Sequence, residues 1–95
     1  MVRPKIPRCL KFNPRVVYFK PQGIPLRDLE EVLLLPDELE ALKLYQVDEL
    51  DQTAAAEKMA ISQPTFARVL ASATKKVAEA LIEGKVIRME KRNDD

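Results

Sequence analysis

The sequence contains no histidine and no tryptophan, and its single cysteine is Cys9. One cysteine cannot form a disulfide within the chain. A structural zinc site or a Cys–His nucleophile requires histidine or paired cysteines, so neither is expected. The acidic residues are expected on helix surfaces beside Lys and Arg, which is typical of solvated charge rather than of a catalytic carboxylate pair. We therefore expect a protein that is not an enzyme and holds no metal or other cofactor.

Long apolar runs are also absent, since the longest, 32–35, is far too short for a membrane span. The N-terminus is positively charged but lacks the apolar stretch of a signal peptide. These absences predict a cytoplasmic protein without a membrane partner. A length of 95 residues predicts one compact domain overall.

The net charge of +1 conceals a segregation of charge along the chain. Residues 1–27 contain seven basic residues and no acid, whereas residues 28–62 contain ten acids and two lysines. A nearly neutral protein with a locally basic arm can still bind a polyanion, because the local field governs the contact. The alternative is that the arm is a solubilising tail. The basic residues around Cys9 favour a reactive thiol, so a redox role stays open beside that of an ordinary arm cysteine.

Residues 1–24 are predicted to form an extended basic arm that ends in a short strand. Prolines exclude helix from its first part. The β-branched and aromatic stretch 15–20 favours a strand, and 21–23 favours a turn. The stretch "KVIRME", 85–90, is also β-prone, and we expect it to pair with 16–19 in a two-stranded ribbon. The segment that starts at Pro25 is interpreted as a single helical turn.

The remaining residues, 25–95, are predicted to form a mainly α, three-helix domain. The first helix starts at Pro36 and places Leu39, Leu42 and Val47 on one face. The second is the alanine-rich "QTAAAEKM" with Asp51 as N-cap. The third runs from the N-cap Ser62 to Gly84. Its apolar stripe is expected to comprise Phe66, Val69, Leu70, Ala73, Val77, Ala80 and Leu81.

The connection between the second and third helices favours a helix-turn-helix. The turn 60–62 is short enough to impose a large angle between the helices. Ala56 is small at the corner, and Met59, Ile61, Phe66 and Val69 are suited to fill it. Ala60 stands where glycine is usual, and a left-handed conformation there costs about 1 kcal/mol. From the helical wheel alone, an ordinary amphipathic helix with solvated lysines is an equal alternative.

In a helix-turn-helix, the N-terminal part of the second helix of the motif meets base edges in the major groove. Gln63 is suited to adenine, Arg68 to guanine or phosphate, and Thr65 to either a base or a phosphate. Backbone N–H groups near Ser62 favour a phosphate. The remaining candidates are backbone contacts from the third helix and minor-groove or phosphate contacts from the arm: Ser72, Lys75, Lys76, Arg3, Lys5 and Arg8.

Several stretches resemble the UPF0251 (DUF134) family over almost the whole chain: "RPKIPRCLKFNP", "YFKPQGIPL", "LEEVLLLPDELEALKL" and "AAAEKMAISQPTFARVLASATKKVAEALIEGK". The helix-turn-helix stretch is similar to region 4 of sigma-70-type factors. The resemblance implies a small DNA-binding protein, a transcriptional regulator whose third helix reads double-stranded DNA. Two departures from the pattern are Ala60 in place of glycine and Pro64 where a polar or basic residue is common.

Other functions stay open. Sigma-like domains also bind proteins of the transcription machinery, and the acidic stretch 28–57 suits a basic partner. RNA binding fits the charge but lacks an aromatic stacking platform, since Tyr18 and Phe19 are the only adjacent aromatic pair. Homodimer formation stays open as well, because the side of the third helix formed by Ala67, Ala71 and Ala78 suits either a groove or a partner helix.

Overall fold

The computed structural model of the chain describes residues 10–12, 14 and 17–90. The predicted arm residues Arg3, Lys5 and Arg8, together with Cys9 and the tail 91–95, lie outside these residues. The described elements follow in the order β1 (Tyr18–Phe19), a 3-10 helix (Leu26–Asp28), β2 (Glu31–Leu34), α1 (Pro36–Leu42), a π-helical segment (Lys43–Val47), α2 (Gln52–Met59), α3 (Gln63–Glu83) and β3 (Val86–Met89).

The mainly α fold and the ends of α2 and α3 are confirmed. The Asp51 side chain accepts a hydrogen bond from the Ala54 N–H at 2.8 Å and caps α2. Ser62 caps α3 in the same way, and Gly84 ends it in the left-handed conformation with a φ of 70°. The 21 residues of α3 make it the longest described element, about 31 Å long.

The first helix departs from the prediction at its C-terminal half. After Leu42 the backbone widens into the π-helical segment, and the Asp48 N–H donates to the Lys43 carbonyl at 2.8 Å. A π-helical turn holds more residues than an α-helical turn, so residues within Lys43–Val47 take other angular positions than a regular α-helix would give them. The prediction that Val47 faces the core is therefore wrong, and its side chain is 73% exposed.

The predicted pairing of the two β segments is confirmed, but the sheet has three strands. β1 is antiparallel to β3, with Phe19 opposite Ile87. β2 is parallel to β3 on its other side, giving the order β1-β3-β2. The sequence predicted a single helical turn in the segment that starts at Pro25. This is correct for Leu26–Asp28 but misses β2.

The core consists of two clusters that share α3. One lies between α1, α2 and the first half of α3, around Met59, Phe66 and Leu70. The other joins Leu34 and Met89 of the sheet to α1 and Ala73 of α3. The predicted stripe of α3 is confirmed except at Leu81, which is 73% exposed. Leu81 lies at the edge of the stripe, about 60° from Phe66, and Ala80 takes the inner position one residue earlier.

Two acids of α1, Glu38 and Glu40, are buried rather than solvated. Glu40 accepts hydrogen bonds from the backbone N–H groups of Lys11 and Phe12, at 3.0 and 2.7 Å. Glu38 accepts one from the Leu35 N–H at 2.8 Å, at the start of its own helix. Because a buried carboxylate is costly unless its oxygens are satisfied, these acids fix the chain before β1 and the junction of β2 with α1.

Candidate nucleic-acid interface

The corner between α2 and α3 is built on a strained residue. Ala60 has φ 58° and ψ 42°, which is the left-handed conformation that the sequence analysis considered for this position. Its N–H donates to carbonyls of the last turn of α2, and the N–H of Ile61 donates to the Ala56 carbonyl at 3.1 Å. These bonds satisfy the end of α2 while the chain reverses direction. The turn then passes directly into Ser62, the N-cap of α3.

Buried side chains hold the two helices at a fixed angle. Met59 and Phe66, one on each side of the turn, are completely buried, and Ala55 and Ala56 allow α3 to approach α2 closely. The Tyr45 ring packs against Phe66 with 6.5 Å between the ring centroids. The arrangement of α2 and α3 is compatible with a helix-turn-helix, and a packed core supports the N-terminal half of α3.

The exposed start of α3 carries a connected row of polar side chains. The Ser62 hydroxyl donates to the Thr65 hydroxyl at 2.9 Å, and the Thr65 N–H donates to Ser62 Oγ at 3.2 Å. Nη2 of Arg68 lies 3.4 Å from Thr65 Oγ1 and donates to it. This row restrains the Arg68 guanidinium near the N-terminus of α3, while the side chain remains exposed.

Gln63 lies on the other side of the helix start and contacts α2. The Thr53 hydroxyl donates to Gln63 Oε1 at 3.3 Å, and both residues are exposed. Between Gln63 and Arg68, the surface of α3 is formed by Pro64, Ala67 and Ala71, which are small or compact. The structure therefore brings together Ser62, Gln63, Thr65 and Arg68, with exposed Lys75 farther along the same helix.

Two other predicted contact residues, Ser72 and Lys76, have partners within the fold. The Ser72 hydroxyl donates to Glu38 Oε2 at 2.5 Å. The Lys76 ammonium lies 2.8 Å from Glu38 Oε1 and 2.7 Å from the Leu33 carbonyl oxygen. Both side chains therefore join α3 to the β2–α1 junction, on a different side of α3 from Gln63.

The Glu38 carboxylate is the centre of this junction. Burial raises the pKa of Glu38, but hydrogen bonds from the Leu35 N–H, the Lys76 ammonium and the Ser72 hydroxyl together outweigh burial. The net result is a pKa below the ordinary value of a glutamate. Glu38 is therefore ionised at neutral pH and attracts Lys76 inward.

Sequence reasoning found the corner and the exposed row but missed Glu38, Glu40 and Thr53. Glu38 lies in the first turn of α1, where an acid is expected from the helix dipole alone. Nothing in the spacing of Glu38 or Glu40 indicates burial. Thr53 lies ten residues before Gln63, a separation that carries no helical or strand periodicity. The sequence separation from Glu38 to Lys76 is larger still, at 38 residues.

The described part of the chain contains neither a metal site nor a membrane-spanning helix. Among residues 10–12, 14 and 17–90, no group of three His, Cys, Asp or Glu side chains is arranged to hold a metal ion. None of the helices in the same residues has the length and hydropathy that crossing a membrane requires.

Comparison with known proteins identifies relatives over nearly the full chain. A family model described as "Protein of unknown function DUF134" matches residues 1–93. A UPF0251 protein of Moorella thermoacetica is 52% identical over 90 residues, which cover 95% of this chain and 60% of that protein. UPF0251 proteins of Caldanaerobacter subterraneus and Halothermothrix orenii are each 49% identical over 90 residues.

The chain spans 76% and 67% of the lengths of those two relatives. With the 60% for the Moorella protein, it thus accounts for part of each of these longer proteins. No solved structure matches the chain.

Proposed function

The chain belongs to the DUF134 family, and from that premise we propose that it is a double-stranded DNA-binding protein, a transcriptional regulator whose α3 enters the major groove. The observation that carries the proposal is the set of four polar side chains at the start of α3, beside a buried corner: exposed Ser62, Gln63 and Arg68 and partly exposed Thr65. A rigid helix presenting polar side chains at its N-terminal end is what readout of base edges requires.

Gln63 and Arg68 each have a role that their chemistry favours. Gln63 offers an amide, which pairs with the N6 and N7 edge of adenine. Arg68 offers a planar guanidinium, which pairs with the O6 and N7 edge of guanine or with a phosphate. The compact Pro64, Ala67 and Ala71 between them leave room for the bases and suit the methyl group of thymine.

Basic residues of both α3 and the arm are proposed to contact the DNA backbone. Lys75 is exposed on α3 and is proposed to contact a phosphate. Lys76 and Ser72 are engaged by Glu38, so we assign their main role to holding α3 in place. Arg3, Lys5 and Arg8 stay predictions for phosphate or minor-groove contact, because they lie outside the described residues.

The absence of histidine and the polar, non-catalytic character of the row support binding rather than catalysis. We propose no reaction and no cofactor for the chain. The longer relatives include segments beyond the part that aligns here, and the activity of those whole proteins is a separate question.

Selection of bound duplexes from a random pool tests the proposal directly. The expected result is an enriched motif, with affinity that falls steeply as salt increases because released counterions drive the binding. The symmetry of the motif shows whether a homodimer binds, since paired half-sites mirror a two-fold dimer. Absence of binding to every duplex at low salt would exclude DNA binding.

A second candidate function is binding to a protein of the transcription machinery. It is favoured by exposed apolar side chains near the far end of α3, where Leu81 is 73% and Ile82 is 85% exposed and Phe19 of β1 is 59% exposed. Ile82 is about 28 Å along the helix from Gln63, so this surface is separate from the polar row. Capture of a partner by the wild-type chain in the presence of nuclease, and its loss in Ile82→Asp, is the expected result for this candidate.

A further inference from the structure

Thr53 and Gln63 connect the two helices of the motif at the surface. Thr53 is the second residue of α2, and Gln63 is the first residue of α3. They are ten positions apart in the chain, with a left-handed turn between them, yet the Thr53 hydroxyl donates to Gln63 Oε1 at 3.3 Å. The corner thus brings the starts of both helices side by side.

The contact matters because glutamine is long and flexible. Fixing a free glutamine side chain costs up to about 2 kcal/mol of rotamer entropy. Thr53 is β-branched and has fewer χ1 rotamers in a helix than an unbranched side chain. Its hydrogen bond to Gln63 Oε1 restrains the Gln63 amide before any ligand arrives. A pre-positioned side chain loses less entropy on binding than a mobile one.

We propose that Thr53 is a positioning residue that sets the base discrimination of Gln63. The assignment rests on the proposed function of α3 as the reading helix. With Oε1 held by the Thr53 hydroxyl, Gln63 retains a second lone pair on Oε1 and both N–H groups of Nε2. One acceptor and one donor side by side match the N6 amino group and N7 of adenine.

Guanine presents a different edge at the same place. Its O6 and N7 are both acceptors, so the restrained Oε1 faces an acceptor and the pairing fails. A mobile Gln63 avoids this mismatch, because its amide can rotate or turn toward solvent so that Oε1 no longer faces an acceptor. Restraint by Thr53 therefore raises the penalty for the wrong base as well as the affinity for the right one.

A different role for Thr53 gives a distinguishable result. It lies in the first turn of α2, where a hydroxyl is also placed to donate to a phosphate. A phosphate contact would affect all duplexes alike and would not depend on Gln63. A positioning role affects one base pair and disappears when Gln63 is absent.

The experiment measures the affinities of four chains for the selected duplex and for duplexes changed at each base pair in turn. The chains are the wild type, Thr53→Val, Gln63→Ala and the double variant, with Thr53→Ser as the variant that keeps the hydroxyl. Valine has nearly the shape of threonine, so circular dichroism is expected to show an unchanged fold.

Thr53→Val is expected to reduce discrimination at the base pair read by Gln63 by roughly two- to tenfold, the range of one neutral hydrogen bond. Discrimination elsewhere stays unchanged, Thr53→Ser retains the wild-type preference, and Thr53→Val has no further effect in the Gln63→Ala background. Three outcomes overturn the assignment alone. They are that Thr53→Val weakens binding to all duplexes equally, that its effect persists without Gln63, or that it leaves discrimination unchanged. Failure of the wild-type chain to bind any duplex overturns the proposed function and this assignment with it.

Discussion

The Lys76 ammonium lies 2.8 Å from Oε1 of Glu38, a side chain that is only 6% exposed. Its neighbour Lys75 is one residue earlier on the same helix and points to solvent. A rotation of about 100° between successive helical residues separates the two ammonium groups. Adjacent lysines of α3 therefore have different roles, one in the fold and one on the surface.

Lys76→Ala is expected to lower the free energy of unfolding by about 1–3 kcal/mol, because it removes a charged partner from the buried Glu38. The hydrogen bonds from Leu35 and Ser72 remain and limit the loss. Lys75→Ala is the matched control and is expected to change the free energy by less than about 0.5 kcal/mol. Denaturant titration followed by circular dichroism measures both, and equal losses would contradict the division of roles.

Arg68→Ala is expected to weaken binding to the selected duplex by about 1–3 kcal/mol and to relax the preference at one base pair. Lys75→Ala is instead expected to weaken all duplexes alike and to reduce the slope of log affinity against log salt by about one. Fluorescence anisotropy at several salt concentrations separates the two effects.

Arg88→Ala is the control for net charge, since Arg88 is an exposed arginine of β3, outside the helix-turn-helix. It removes the same charge as Arg68→Ala. A loss of base preference in Arg88→Ala as large as in Arg68→Ala would argue against readout by Arg68.

Ala60→Gly is expected to raise the free energy of unfolding by up to about 1 kcal/mol, because glycine adopts a φ of 58° without the strain that a β-carbon introduces. The greater entropy of glycine in the unfolded chain offsets part of this gain. Ala78→Gly, at an exposed position within α3, is the matched control and is expected to destabilise by about 1 kcal/mol. Thermal unfolding compares the two, and a loss of stability in both would contradict strain at Ala60.

The lowered pKa of Glu38 predicts an acid dependence of stability. A carboxyl whose pKa is lower in the folded than in the unfolded state stabilises the fold fully above its unfolded pKa, about 4.3. That stabilisation is lost as the pH falls through the lower pKa of the folded state. Glu38→Gln is expected to reduce the slope of unfolding free energy against pH in this acidic range. An unchanged slope would show that other carboxylates determine how the free energy of unfolding depends on pH in acid.

The elements that were predictable are those with local signals. Asp51 and Ser62 are N-caps because their side-chain oxygens satisfy nearby N–H groups, which requires only neighbours in sequence. Gly84 ends α3 for an equally local reason. The pairing of β1 with β3 was inferred from the β propensity of both stretches, and it is confirmed.

The elements that were missed depend on distant contacts. Glu31–Leu34 is a strand because β3 offers a parallel edge more than fifty residues later in the chain, and a short segment beside two acids carries little strand signal of its own. The π-helical segment connects α1 to the chain that leads to α2. A periodicity of 3.6 residues predicts neither this segment nor the exposure of Val47.

The amino-acid sequence by itself determined the family, the ends of α2 and α3 and most of the apolar stripe of α3, because caps and periodicity act over a few residues. Only the tertiary structure decided which polar residues of α3 are available at the surface. The buried Glu38 engages Ser72 and Lys76, and the corner places Thr53 against Gln63. A helical wheel records the direction of a side chain but not the partner that lies there.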